Sequence, residues 1–579
     1  MATAARRGVA GRLAAGRRIL NRRWPLATTL AVTVALTGCT GDHHTAEPSS
    51  QPRPQPSSDV SSPPAPPAHA HPTHPTTPVT VISERTPAAA TAALATVLFS
   101  AADLVVLSAD DAADIAQAAQ TATAQCAPLL VVDTAGPPVA TLLHLHTRQV
   151  ITYGTITGPP PGISIVGPPA DMPSINGDGD HEPSTPPADQ AQPTAPATRT
   201  ERSMTTPPDA GQPTAAGSRQ SPSAGSHHSP AAGGTADLRD TAVLVDRSDG
   251  RLARAVTPTA QAAGVRVVEV QGTDPRADPG AIAALHALQP RYTVAVGDFG
   301  PPALLASRLA VAGTGLQLPA GGQVIFPGRR FVALYGHPDT PALGVLGAQD
   351  LPASVQRAEE LAARYQALSD VPVVPTFEII AAVAQRNPGA DGDFTAETDP
   401  AELRPWVEAA QQAGMYVLLD LQPGRADPLR LAQRYAALLA YPYVGLAVDP
   451  EWALAPGVAP LQRIGSLDAQ VLNSVAAWLD GFTAARHLPQ KLFVIHQFQL
   501  SMIRNERALR VRYDNLAVLI HMDGQGSPPD KEATWRSVVG AAPAGVSLGW
   551  KNFYREDHPM LSPEQTMAHQ PSPLMISYQ

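Results

Sequence analysis

The sequence predicts an α/β protein: a C-terminal (β/α)8-type barrel preceded by two small Rossmann-like parallel α/β segments, with disordered linkers between the folded parts. Three observations carry this. Short apolar runs alternate with amphipathic helical stretches, the pattern of parallel strands joined by helical crossovers. Eight of those runs fall between residues 329 and 579, the number and spacing of a barrel. The 62 prolines are spread unevenly and mark two stretches with almost no large apolar side chains, which cannot bury enough surface to offset their ordering entropy.

From the N-terminus, Arg6, Arg7, Arg12, Arg17, Arg18, Arg22 and Arg23 precede an apolar run from Leu26 to Leu36, with no acidic residue before Cys39. The run is shorter than the about 20 residues that span a bilayer, and its charge-then-apolar order is that of a signal peptide. It ends in Leu36-Thr37-Gly38-Cys39, which resembles the lipobox of bacterial lipoproteins. The resemblance implies cleavage before Cys39, diacylglycerol on its thiol, and a chain held by membrane lipid on the extracytoplasmic face of the cell membrane. A non-cleaved anchor or an ordinary secretion signal is the alternative. Cys126 is then the other cysteine, so no intrachain disulfide is expected in a mature form. Its place before Ala127 to Val132 suggests a small buried hydrophobe.

Composition divides the chain into 1–39 (signal peptide and lipobox), 40–88 (a Pro/Ser/Thr/His-rich tether), 89–167 (α/β), 168–236 (a second linker), 237–328 (α/β) and 329–579 (barrel). His43, His44, His69, His71 and His74 in the tether have no fixed spacing and no partner carboxylates, so they read as solvated linker. The formal net charge of −9 is modest for 579 residues, and without a basic patch no nucleic-acid partner is expected.

In the first α/β segment Leu104 to Leu107, Leu129 to Val132 and Val150 to Gly154 read as strands, with a helix over Asp111 to Gln125. In the second, the strands are Ala242 to Val245, Val265 to Val270 and Thr293 to Gly297. Val105-Val106-Leu107-Ser108-Ala109-Asp110, the Ala-rich helix, Ala127 to Asp133 and Val150 to Gly154 together resemble the cell wall-binding repeat 2 module. The second segment matches it more loosely, through Thr293 to Gly297. The resemblance implies non-catalytic attachment to cell-wall polysaccharide or peptidoglycan. Neither segment carries a G-x-G-x-x-G loop.

The barrel strands are predicted at Phe331 to Tyr335, Val373 to Phe377, Met415 to Leu419, Val444 to Val448, Leu492 to Ile495, Leu516 to Ile520, Val546 to Leu548 and Leu574 to Ile576. A seven-stranded barrel or an open sheet is the alternative. In a barrel, the residues after each strand meet at the C-terminal mouth, where such folds place their chemistry. Those residues include Tyr335 and His337, Glu378, Asp420 and Gln422, Asp449, Glu451 and Trp452, His496 and Gln497, His521 and Asp523, and Trp550 and Lys551. Acids can protonate a leaving oxygen or activate water, and aromatic faces cover sugar rings. The candidate catalytic set is therefore Glu451, Asp449, Asp523 and Glu378. The candidate binding set is Tyr335, His337, Asp420, Gln422, Trp452, His496, Gln497, His521, Trp550 and Lys551.

Gly445-Leu446-Ala447-Val448-Asp449-Pro450-Glu451 resembles a degenerate "D-G-x-D-x-D-x-E" motif of family 18 glycosidases. The resemblance implies that Glu451 is a general acid and Asp449 its substrate-orienting partner, provided that the strand stays extended through Pro450. It also implies that Met522 and Asp523 stand at that family's "M-x-Y-D" position and Trp550 at its barrel-floor tryptophan. Ala447 replaces an acid of the motif, and the tyrosine before Asp523 is absent.

Three function classes follow: a surface glycoside hydrolase, a non-catalytic wall-binding lipoprotein, and a solute-binding lipoprotein of a transporter. The long linker at 168–236 would divide a two-lobed solute-binding protein awkwardly. No cofactor and no metal is expected, because neither His-x-His nor His-Glu-x-x-His spacing occurs among the candidates. Acids facing an open, aromatic-lined mouth would favour hydrolysis, and acids buried in ion pairs would favour binding alone.

Overall fold

The computed structural model describes residues 70–156, 161–167, 237–458 and 460–579. The signal peptide, Cys39, most of the tether and the linker at 168–236 lie outside the described residues. Two bodies follow from the element order.

The first body contains β1 (Val79–Ile82), α1 (Pro87–Leu98), β2 (Leu104–Ala109), α2 (Ala112–Ala124), β3 (Leu129–Val132) and β4 (Gln149–Tyr153). It continues with β5 (Thr241–Asp246), α3 (Gly250–Ala262), β6 (Arg266–Val270), α4 (Pro279–Leu288), β7 (Tyr292–Val296) and α5 (Pro302–Gly313). One parallel sheet runs β3-β2-β4 and the other β1-β7-β5-β6. Folded structure begins before residue 89. Val79-Thr80-Val81-Ile82, an apolar run inside the proline-rich tether, pairs with β7 and so belongs to the sheet built mainly from the second segment.

The two segments share one core. Helix α3 packs against β3 of one sheet and β5 and β6 of the other, and Val105, Leu107 and Leu130 join Val243, Val245 and Val294 in a single buried cluster. The edge of β3 is closed by helix hydroxyls. Thr259 Oγ1 of α3 accepts from Leu129 N at 3.1 Å and donates to Leu129 O at 2.8 Å, and Thr91 Oγ1 of α1 accepts from Val131 N at 3.0 Å. An edge strand covered in this way offers no free ladder to another chain. Cys126, expected to be buried, is exposed. It holds φ 48° in the turn between α2 and β3, and that left-handed turn carries its side chain outward.

The second body is a closed eight-stranded parallel barrel. Its elements are β8 (Arg330–Gly336), α6 (Leu351–Gln366), β9 (Val373–Ala384), α7 (Pro400–Gln412), β10 (Tyr416–Leu421), α8 (Pro428–Arg434) and β11 (Val444–Val448). Then come α9 (Ala469–Ala484), β12 (Lys491–His496), β13 (Leu516–Met522), α10 (Pro528–Ala541), β14 (Ser547–Asn552) and β15 (Met575–Tyr578). Closure comes from β8, which pairs with both β9 and β15. Helix starts are written in the sequence: Asp399-Pro400 and Asp427-Pro428 each supply a capping carboxylate, on Ala401 N at 2.8 Å and Leu429 N at 3.1 Å, and a proline at the first helical position.

The α/β body docks at the N-terminal ends of the barrel strands. Arg276, 2 % exposed, donates to Asp514 O at 3.1 Å and Asp514 Oδ1 at 2.9 Å. Arg308 donates to the same Oδ1 at 2.7 Å. Asp514 precedes β13, so this interface lies at the end of the barrel opposite the mouth.

Candidate functional site at the barrel mouth

Strand register decides which side chains meet. Tyr335 stands beside Glu378, His496 beside His521, and Lys551 beside Ser577. Alternation along each strand turns these residues into the barrel while their neighbours face the helices. His496 is the hub. Its Nε2 lies 3.2 Å from Glu378 Oε1 and 3.7 Å from Asp420 Oδ1, and its Nδ1 lies 3.1 Å from Asp523 Oδ2. Tyr335 donates its hydroxyl hydrogen to Asp420 Oδ2 at 2.9 Å and accepts from Gln422 Nε2 at 3.2 Å. Lys551 Nζ sits 3.4 Å above the Tyr335 ring. His521 Nε2 is 2.7 Å from Ser577 Oγ, and its ring meets that of His496 edge to face at 5.4 Å between centroids.

The cluster is almost closed to solvent. Glu378, Asp420, His496 and His521 have no exposure, whereas Gln422 keeps 6 % and Asp523 8 %. Burial disfavours a charged His496, yet Asp420, Asp523 and Glu378 outweigh it and hold the imidazole well above its ordinary range. Burial, with Glu378 adding repulsion, lifts the Asp420 carboxyl to about 6 against the pull of His496 and Lys551. Burial raises Asp449 well above a normal carboxylate, and Asp523, Glu451 and Asp420 add to this against the opposing charge of His496. Asp523 goes the other way: burial is overcome by its hydrogen bond to His496, and its carboxyl is lowered. Burial and the neighbouring His496 and Lys551 charges push His521 well below its usual value. The surroundings therefore favour the charged forms of His496 and Asp523 and the neutral forms of Asp449 and His521. Two carboxyls driven in opposite directions by their surroundings are the arrangement from which acid and base roles are built.

Of the predicted site residues, Tyr335, Glu378, Asp420, Gln422, His496, His521, Asp523 and Lys551 come together, and Asp449 feels their charges. Others do not join them. Trp550 faces the helix layer, packing on Trp535 and His569 and donating to Asn552 Oδ1 at 2.8 Å. It is no barrel-floor tryptophan, because Lys551 takes the inward position. His337 pairs with Thr398 Oγ1 at 3.0 Å, and Gln497 turns to Glu506 at 3.0 Å. The strand does not stay extended through Pro450. Asp449 caps a 3-10 turn over Pro450–Trp452, its Oδ1 accepting from Glu451 N at 3.0 Å, because proline fixes φ and removes a donor. Glu451 and Trp452 are half-buried on that turn, so the geometry implied for Asp449 and Glu451 by the family 18 resemblance is absent.

Ser577 and Gly549 went unrecognised in the sequence. Ser577 lies one residue past the predicted last strand. Gly549 matters because a Cβ there would fall well inside contact distance of His521 Nδ1, so glycine lets the ring lie against β14. Two surface clefts of about 440 and 480 Å3 open elsewhere, one beside Leu285 and Arg291 and the other beside Leu500 and Glu506. Among the described residues, no group of three or more His, Cys, Asp or Glu side chains is arranged to hold a metal ion.

What the fold and site define is a barrel with an inward cluster of ionisable groups at its C-terminal mouth and an α/β body at its other end. No protein-family profile matches the chain, and no curated protein does. Among solved structures, a xylanase-alpha-amylase inhibitor protein in complex with trehalose aligns at 15 % identity, covering 43 % of this chain and 92 % of that one, with a TM-score of 0.26. A likeness that distant carries no statement about what this chain does.

Proposed function

We propose that this protein is a lipid-anchored, extracytoplasmic protein whose barrel mouth recognises cell-wall glycan. One observation carries the recognition: strands β8 to β14 deliver Tyr335, Glu378, Asp420, His496, Asp523 and Lys551 to a single buried layer whose carboxylate oxygens are not all matched by donors. Buried polar groups of this kind serve ligands that bring several hydroxyl or amine donors. Acids held in ion pairs with His496 favour binding over hydrolysis. The N-terminal Leu36-Thr37-Gly38-Cys39 supports the lipid anchor, and the module-like strands of the α/β body support wall attachment.

A second reading, hydrolysis of glycosidic bonds, is favoured by Glu451. It is half-buried on the turn beside Asp449, where an acid could reach a glycosidic oxygen. One experiment separates the two. The full chain and its Glu451→Gln variant are assayed for sedimentation with purified peptidoglycan and for reducing-sugar release from it and from chitin-like oligomers. Sedimentation of both without release supports binding alone. Release by the parent that Glu451→Gln abolishes supports the hydrolase. No sedimentation and no release would remove both readings.

A further inference from the structure

We propose that the barrel mouth takes an amino sugar with a free ammonium group in preference to its N-acetylated counterpart. This rests on the glycan-directed reading above and narrows it to a ligand charge.

Several buried acceptors in the layer are unmatched. Glu378 has no solvent exposure, and its Oε2 has no hydrogen-bond partner among the described residues. The same holds for Asp420 Oδ1 and Asp523 Oδ1 as hydrogen-bond acceptors, although the former lies 3.7 Å from His496 Nε2. An ionised carboxylate accepts and never donates, so these oxygens call for donors. A buried acceptor left without one is destabilising, so a ligand that supplies the donor is favoured.

Charge points the same way. Glu378, Asp420 and Asp523 share two cations, His496 and Lys551. His496 is divided among all three acids, and Lys551 is seated over the Tyr335 ring. One further positive charge would balance the layer.

Of the groups a sugar can present, an ammonium supplies three donors and no acceptor. A hydroxyl supplies one donor and two lone pairs. An acetamide supplies one donor together with a carbonyl oxygen, which carboxylates repel. The ammonium fits both the missing donors and the missing charge.

The test is calorimetric binding to the full chain at neutral pH, with three probes: a glucosamine oligomer, the matching N-acetylglucosamine oligomer, and free lysine as an amine without a sugar. The expected result is that the glucosamine oligomer binds about tenfold or more tighter than the acetylated one, with lysine far weaker. Glu378→Gln, which keeps the shape and replaces the carboxylate by an amide, should shrink that preference. Equal or tighter binding of the acetylated oligomer would overturn the ammonium assignment and leave the glycan reading standing. Lysine matching the glucosamine oligomer would mean that the amine is recognised without the sugar, and absence of binding by all three probes would end both readings. The parent comparison decides the matter even if Glu378→Gln fails to fold.

Discussion

His496 and Asp523 form the central pair of the barrel mouth: Nδ1 lies 3.1 Å from Oδ2 across two strands that are neighbours in the sheet. On its other side the same ring faces Glu378 and Asp420. One imidazolium thus holds three buried carboxyl groups together.

Replacing His496 with Asn should therefore be severe. It leaves buried acids without their cation, a loss of about 3–5 kcal/mol in comparable cases, read as a lower urea midpoint. The pH dependence has a defined sign. The raised folded-state pKa of His496 gives stability that is complete below the unfolded histidine value and lost as pH rises through the folded one. The lowered Asp523 gives stability present above the unfolded carboxyl value and lost as pH falls through the folded one. Both flanks should flatten in the variant.

Lys491 offers an independent pH test at the other end of the barrel. It is fully buried, donates to Tyr441 O at 2.9 Å and Val444 O at 2.8 Å, and burial lowers its amine from 10.5 to about 7. Between those two values the unfolded chain binds a proton that the folded chain does not, so stability rises with pH there. Lys491→Met should remove that rise, measured as the midpoint of urea unfolding from pH 7 to pH 10.

Gly549→Ala should displace His521. The added Cβ meets the imidazole at Nδ1, and relief of the clash must move the ring away from Ser577. A cost of about 1–3 kcal/mol is expected, as for other overpacked interiors. Nuclear magnetic resonance of the His521 ring nitrogens would report loss of the Ser577 hydrogen bond, and an unchanged spectrum would refute the account.

Arg276→Ala should loosen the two bodies. It removes donors to Asp274 and Asp514 at 2.8 and 2.9 Å, while Arg308 still holds Asp514. The expected cost is about 1–3 kcal/mol, with unfolding of the α/β body separating from that of the barrel in calorimetry. A single unshifted transition would show that Arg276 is not what joins them, Arg308 and the remaining contacts sufficing.

Much of the architecture was legible in the residues. The barrel strands recur as apolar runs, and the Asp-Pro pairs before α7 and α8 mark helix starts by their capping chemistry. Tyr335, Glu378, Asp420, His496 and Asp523 were legible as mouth residues because each stands at or just past a strand end. Facing was harder to read. Trp550 and Lys551 are adjacent, and a strand sends one inward and the other outward, so a one-residue uncertainty in register exchanges their roles. Val79 to Ile82 was hidden by the prolines around it.

The sequence by itself determined the class of fold and placed polar residues just past the barrel strands, because periodicity and capping are local. Only the tertiary structure decided that the two α/β segments share one core, that Val79–Ile82 completes the second sheet, and that His496 binds three acids at once. Those outcomes depend on pairing between residues far apart in the chain, and on a buried setting in which each charge is set by its neighbours and not by its own side chain.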